Sequence, residues 1–594
     1  MMHLSSFYQE RIQRFSREEA VLARKNVRYA WLRLATLAAA IVGGIYFAAL
    51  SPWAGAGAVA VCLIAFFGCL KAHLRCIGRQ KEAERFKTIN RQEADSLNGD
   101  DSAYSSGDRY IDAKHDYTSD LDIFGAHSVF RHTNRTTSPS GSDLLAAWLS
   151  APASTPDIER RQQAVQELAG MVDWRQQIQS VGLKYKTTAE SLPDFLLWLK
   201  SETVLSHRRR LLQVMQVLPC ITLLCAVVAC MGWIQAGWLW LPVTAHLLIA
   251  ALVAGKVNVL HRQVSHKVEF VSTYAELIAP IADADFSSPY LASLQKVFTD
   301  GKAAEHIRAL KNRIKRLDYR LNIMFIPVNL LFFFDYRHLA WLEKWRMTVG
   351  RTVPEWFDAI AAIEALSGFA NLRFNHPEWV FPEIKADYFT LAAVHAGHPL
   401  IRESERICND FSTDGEGKIS IVTGSNMSGK STFLRSIGVN MALALAGAPV
   451  CAKRFAVTNC KIYTYMRIAD NLEERTSSFY AELKRLKQLM DITRNGQQVF
   501  FLLDEILRGT NSRDRQTGSM ALIRQLVRQQ VSGIIATHDL ALGELEAELP
   551  QNIRNAHFDV QINGEDMAFD YKLHAGICTR LNASVLMKKI GIEI

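Results

Sequence analysis

None of the ten cysteines stands at Cys-x-x-Cys spacing from another. Five of them, Cys62, Cys69, Cys220, Cys225 and Cys230, lie inside apolar runs, where a thiol behaves as a small apolar group. The sequence therefore predicts neither disulfides nor a zinc site. Asp, Glu, Lys and Arg are missing altogether from four stretches, 34–50, 53–70, 214–234 and 237–254. No basic stripe interleaved with aromatics occurs. Much of the net charge of +9 flanks the apolar stretches instead, so it is weak grounds for a nucleic-acid partner.

The four uncharged stretches account for the high hydrophobic fraction of 49%. Each has about the 17–25 residues that a helix needs to cross a bilayer. They pair across Ser51-Pro52 and across Gln235, and they read as four membrane spans in two hairpins. Trp53, Trp233, Trp238 and Trp240 fall near the expected interfaces, as an aromatic belt does. His246, inside the last run, is expected to pack within the bundle.

The basic residues orient these hairpins. Arg24, Lys25, Arg28 and Arg33 precede the first run, and Lys71, Arg75, Arg79 and Lys81 follow the second. Arg208, Arg209 and Arg210 precede the third, and Lys256, Arg262 and Lys267 follow the fourth. The hairpin tips carry neither Lys nor Arg, so both hairpins are expected to enter from and return to the cytoplasm, leaving N-terminus and C-terminal domain on that side of an inner or cell membrane. A long amphiphilic stretch before the first run, and a second run directly after it, argue against a cleaved signal. Residues 94–109 are polar and rich in Gly, Ser and Asp and are expected to form a flexible linker. The run 323–334 is too short for a span and reads as a core helix or a membrane-surface segment.

The C-terminal third carries a chemical signature. Gly424-Ser425-Asn426-Met427-Ser428-Gly429-Lys430-Ser431 is a complete G-x-x-x-x-G-K-[ST] phosphate loop. An apolar strand-like run, 419–422, precedes it, and a helix start at Thr432 follows. In such a loop the backbone N–H groups and the helix N-terminus hold phosphate oxygens. Lys430 can reach the β- and γ-phosphates of ATP, and the Ser431 hydroxyl can ligate Mg²⁺. The run 499–503 reads as a strand buried on both faces, ending in Asp504, a second Mg²⁺ ligand, and Glu505, a general base for the attacking water. A third strand, 533–537, ends at His538, placed to touch a γ-phosphate or orient the water.

Between these motifs, Asp470-Asn471-Leu472 and Ser477-Ser478-Phe479 resemble a segment of the MutS branch of ABC ATPases. More of the chain is similar to that family: 423–432, Asp504-Glu505-Ile506-Leu507-Arg508-Gly509-Thr510, Ala536-Thr537-His538, Tyr571-Lys572-Leu573 and, before the loop, His398-Pro399-Leu400 with Asn409-Asp410. The likeness is strong over about 390–594 and weaker over 120–152 and 356–366. It implies an α/β P-loop (ABC-type) ATPase domain at the C-terminus preceded by an all-α MutS-like core, to which the apolar runs add two transmembrane helical hairpins. It further implies a head-to-tail homodimer through the ATPase domains, in which Ser477 and Ser478 reach the partner's γ-phosphate, and a role in DNA mismatch repair with DNA as ligand. The bland reading of Ser478, a cap on an ordinary helix, is compatible with that role.

The sequence also departs from the family. Residues 1–110 offer no Phe-x-Glu mismatch wedge, 280–350 read as helix without room for a strand-rich clamp, and the chain stops soon after Gly591 where the family has a dimerising extension. Arg406 stands where the family often has an aromatic that stacks on adenine, a role a guanidinium plane can take. Mismatch recognition is thus in doubt while the ATPase is intact. The expected layout is 1–28 N-terminal helix, 29–72 first hairpin, 73–110 linker, 111–205 first part of the core, 206–256 second hairpin, 257–385 second part of the core, and 386–594 ATPase domain. The alternatives are a transporter-type ABC protein or a membrane ATPase that does not act on DNA, and, third, a membrane scaffold whose nucleotide binding is purely structural. The transporter lacks its L-S-G-G-Q signature here, and an intact Glu505 argues against the scaffold.

Overall fold

A computed structural model of the chain describes residues 2–184, 191–201, 209–265, 268–317, 325–425, 427–466, 478–563 and 566–578. Arg208, Lys267, Asn426, the segment 470–477 with Ser477, and Gly591 lie outside the described residues. In chain order the helices before the sheets are α1 (Met2–Ala48), α2 (Pro52–Leu97), α3 (Val129–Thr133), α4 (Pro139–Ser150), α5 (Thr155–Gly170), α6 (Val172–Lys184), α7 (Ser191–Lys200), α8 (Arg209–Cys230), α9 (Trp240–Ser265), α10 (Val268–Ala282), α11 (Pro289–Thr299), α12 (Ala303–Leu317), α13 (Ile326–Phe332), α14 (Phe334–Val349) and α15 (Val353–Asn375).

Helices α1 and α2 pack along one another. Extended Ser51 followed by Pro52 at the first position of α2 breaks the chain between them, since proline is tolerated there and not in a helix interior. Near this turn the backbones come close: a Cβ on Gly44 would sit 2.7 Å from Val59, and one on Gly55 2.8 Å from Ala48. Farther along, Phe15 stacks on Phe86 at 5.0 Å and Lys87 pairs with Glu19 at 2.5 Å.

Two sequence expectations need correction. The boundary expected at residue 28 falls inside a single helix, and the linker expected over 73–110 is helical as far as Leu97. Buried His73, Cys76, Ala83, Ile89, Asn90 and Glu93 give this part of α2 one continuous packed face. Past the helix, Tyr104 is buried, and its hydroxyl donates to Glu93 at 2.9 Å. The Gly/Ser/Asp composition of the segment marks turns rather than a free tether.

Among the described residues, three helices are long and apolar enough to cross a membrane: Leu4–Ala48, Pro52–Leu97 and Gln213–Cys230. Where a fourth span was expected, a 3₁₀ turn over Ala236–Leu239 leads into α9. His246 there is buried, stacks on Phe333 at 5.0 Å and turns its ring nitrogens to the carbonyls of Pro242 and Leu331. Part of this run is therefore covered by the expected core segment, through Leu331 of α13 and through Phe333 just beyond it.

The chain divides into two units: Met1–Arg135 with Leu145–Ser180 and Ser367–Ile594, and Thr136–Leu144 with Val181–Leu366. This cuts across the boundaries expected at 111–205 and 257–385, because α4 and α15 each begin in one unit and end in the other. Among its described residues the second unit holds helices joined by turns and no strand, including those of 280–350. Inside it, Glu364 accepts hydrogen bonds from the Thr137 amide at 3.0 Å and from the hydroxyls of Thr137 and Ser138.

The first unit contains the α/β region. Its strands are β1 (Glu383–Lys385), β2 (Thr390–Ala396), β3 (Asn409–Asp414), β4 (Ile419–Thr423), β5 (Arg454–Thr458), β6 (Lys461–Tyr465), β7 (Val499–Asp504), β8 (Ser532–Thr537), β9 (Ile553–Asn563) and β10 (Asp566–Ala575). A six-stranded sheet runs β10-β9-β4-β8-β7-β6, parallel except for β10, and a four-stranded sheet runs β1-β5-β2-β3. Strands β4, β7 and β8 are buried at every residue, which is what a parallel sheet with both faces covered requires. Helices α16 (Lys430–Ala446), α17 (Ser478–Arg494), α18 (Ser512–Arg528) and α19 (Leu545–Glu548) complete the region. α16 presses against the sheet at Gly438, where a Cβ would lie 2.8 Å from Leu502.

Candidate nucleotide site

The loop between β4 and α16 is shaped by left-handed backbone. Gly424 has φ 154°, Met427 70° and Gly429 101°. Gly429 is also crowded: a Cβ there would stand 3.0 Å from the ring of Tyr571. Lys430 opens α16, is 5% exposed, and donates from Nζ to the carbonyls of Gly424 and Ser425, at 2.8 Å each. Burial lowers its pKa, against the pull of the Glu505 and Asp504 carboxylates. The loop is thus closed on its own lysine, with the charge held at its centre.

Strand β7 lies two places from β4, across β8, and delivers Asp504 to the same end of the sheet. The Ser431 hydroxyl donates to Asp504 Oδ2 at 2.5 Å. Asp504 Oδ1 is buried and makes no hydrogen bond, and burial raises the carboxyl's pKa. A hydroxyl and a carboxylate with a spare, inward-facing oxygen are donors that suit a hard cation such as Mg²⁺. Glu505 follows in left-handed conformation (φ 50°), its N–H donating to Ala536 at 2.8 Å. Its Oε2 lies 2.9 Å from Arg508 Nη2 and 3.4 Å from His538 Nδ1.

Lys430, Ser431 and Glu505 face a cleft of about 440 Å³. Of the residues expected from sequence, Ser425, Met427, Ser428, Gly429, Lys430, Ser431, Thr432 and Glu505 line it. Gly424 lies under Lys430, Asp504 joins through Ser431, and His538 joins through Glu505. Ser478 is the first residue of α17. Asn426 and Ser477 are outside the described residues.

Arg406 requires correction. Its guanidinium donates to the Ile401 carbonyl at 2.9 Å from Nε and lies over the Trp379 ring at 5.6 Å, so it braces the loop from behind rather than facing the cleft. The wall nearest it is formed by Ile401, Glu405 and Ile407, with Phe558 and Tyr571 elsewhere in the lining. Sequence reasoning missed these. Tyr571 and Arg508 stood inside recognisable motifs, whereas Ile401, Ile407 and Phe558 carry no local signal.

Residues 420–589 match the family described as MutS domain V. The chain is 30% identical over 239 residues to the DNA mismatch repair protein MutS of Thermotoga maritima, covering 39% of this chain and 29% of that protein. It is 26% identical over 310 residues to the MutS of Persephonella marina, covering 51% and 33%. It is 30% identical over 236 residues to the human MutS protein homolog 4, covering 38% and 24%. The chain thus spans about a third or less of the length of these relatives. The transporter alternative gains no support from these matches. A mostly helical N-terminal region thus leads into an α/β region that matches MutS domain V and is similar to MutS-family proteins.

Proposed function

We propose that the chain is a membrane-anchored MutS-like ATPase that binds ATP in the β4–α16 cleft and hydrolyses it in a head-to-tail dimer, using closure to move its helical regions. The observation that carries this reading is the convergence of Lys430, Ser431, Asp504 and Glu505 on one cleft. Ser431 and Asp504 would hold Mg²⁺, which supplies charge neutralisation at the β- and γ-phosphates. Lys430 would exchange its two loop carbonyls for phosphate oxygens. Glu505 would take the proton of the attacking water, oriented by Arg508 and His538. Ser477 and Ser478, at and just before the start of α17, would complete the partner's γ-phosphate site.

The apolar helices of α1, α2 and α8, with the apolar part of α9, would anchor the chain, with residues 100, 270 and the C-terminus on the cytoplasmic side. Cysteine-accessibility mapping that finds residue 100 on the opposite side would overturn this topology. DNA binding, if the chain performs it, would rest on phosphate contacts, fall steeply with salt and show little preference for a mispair.

The test is nucleotide binding and Mg²⁺-dependent phosphate release by the full chain in a lipid nanodisc. Wild-type protein is expected to do both, and Lys430→Ala to lose binding. Wild-type protein that binds no ATP contradicts the reading.

A further inference from the structure

The turn after β7 is bent against the preference of its side chains. Glu505 and Leu507 are both left-handed, with φ 50° and 59°, and non-glycine residues hold that conformation only where their surroundings impose it. Two contacts from the first turns of α17 impose it here. Glu482 is 1% exposed, and its Oε1 accepts a hydrogen bond from the Leu507 amide. Gly509 lies flat on Phe479, so close that a Cβ would stand 2.7 Å from Phe479 Cβ and 3.0 Å from its Cα.

Burial pushes the Glu482 carboxyl up, while the amides of Leu507, Gly509 and Arg508 favour its charged form. Its Oε2 is buried without a partner. Such a group is costly to keep unless the hydrogen bonds it makes matter to the turn. From this same turn, Arg508 reaches back to the Glu505 carboxylate.

We propose that Glu482 is a positioning residue for Glu505: by holding the amides of the 507–509 turn it sets the direction of the Glu505 and Arg508 side chains, and it ties that turn to α17, the helix that begins at Ser478. The inference rests on the reading of Glu505 as the base. A displacement of α17 would then move the base with it. Glu482 does not line the cleft, so its loss should leave ATP binding alone.

The experiment measures kcat, KM for ATP and thermal unfolding of the full chain with Glu482→Ala, Glu482→Gln and Gly509→Ala. Glu482→Ala is expected to lower kcat about 10–100-fold with KM changed less than about twofold, since misplacing a reacting group by about 1 Å costs on that order. Glu482→Gln keeps one carbonyl acceptor and should stay within about threefold of wild type. Gly509→Ala, which pushes the turn off Phe479 from the other side, should reproduce the kcat loss even if Glu482→Ala proves unstable. Wild-type kcat in Glu482→Ala or, where that variant does not fold, in Gly509→Ala overturns the proposal. So does a Gln variant as impaired as the Ala variant, or a loss carried by KM. If Glu505→Gln stops turnover while these variants do not, the base assignment survives and only this inference fails; if Glu505→Gln turns over normally, the underlying reading fails first.

Discussion

The six-stranded sheet and the helices that join it within the first unit are held by different interactions. Strands β4, β7 and β8 are buried along their whole length, and their core is apolar: Ile421, Phe501, Leu503 and Ile535 are all fully buried in one cluster. Helices α1 and α2 are instead tied to the end of α15 by buried polar groups. Glu93 accepts from Arg135 at 2.6 Å, from Asn371 at 2.9 Å and from Asn375 at 3.1 Å. Tyr8 donates to Asn375 at 2.7 Å, and Arg11 donates to Asn90 at 3.0 Å and Gln176 at 2.8 Å. An apolar strand is stabilised whichever apolar neighbour covers it. A buried carboxylate is stabilised only when every partner is in place, so the second kind of contact fixes one arrangement and fails sharply when a member is removed.

The largest expected effect breaks that network. Burial alone would raise the Glu93 carboxyl, yet Arg135 and the hydrogen bonds from Asn371 and Tyr104 hold it below the ordinary range. Glu93→Ala leaves Arg135 buried and unpaired and should cost about 3–5 kcal/mol. Chemical denaturation checks this, and a loss below about 1 kcal/mol would mean that the network is incidental.

A smaller effect lies at His398, just past β2. His398 is buried, and burial, with Arg435 and Arg406 nearby, pushes its pKa down to about 4. The unfolded chain, with an ordinary value of about 6.5, then binds this proton more readily than the folded one. The contribution to stability is therefore complete above about pH 6.5 and is lost as pH falls towards 4, by up to about 3 kcal/mol. His398→Asn keeps an acceptor for the Leu400 amide, which donates to His398 Nδ1 at 3.3 Å. Unfolding free energies of wild type and variant should converge over that window. Parallel pH profiles would contradict the assignment.

The smallest effect is local. Asn511 caps α18, its Oδ1 accepting from the Asp514 amide at 2.9 Å. Asn511→Ala should cost about 1 kcal/mol. A cost comparable to that of Glu93→Ala would erase the distinction between local and long-range polar contacts.

The same distinction explains what the sequence made legible. The phosphate loop, the strand ending at Asp504 and the strand ending at His538 are contiguous, and each carries its own apolar run and end residue. Glu93 and its partner Asn375 are 282 positions apart, and no window of sequence contains both. The segment after Leu97 looked like a tether because turn-forming residues are also linker residues; the burial of Tyr104 against Glu93 is a tertiary fact. Arg406 carried the right chemistry to stack on adenine, but Trp379 and the Ile401 carbonyl claim it first. The 237–254 run had the composition of a span, and the packing of His246 against Phe333 and the Leu331 carbonyl is a tertiary contact that no window of sequence shows.

The most direct test of the account is ATP binding and turnover by the full chain with Glu505→Gln. The variant preserves the size of the side chain and removes the base. It should bind ATP as the wild type does and hydrolyse it about 10²–10⁴-fold more slowly. Hydrolysis at the wild-type rate would contradict the assignment of Glu505, and with it the mechanism built on the turn that carries it.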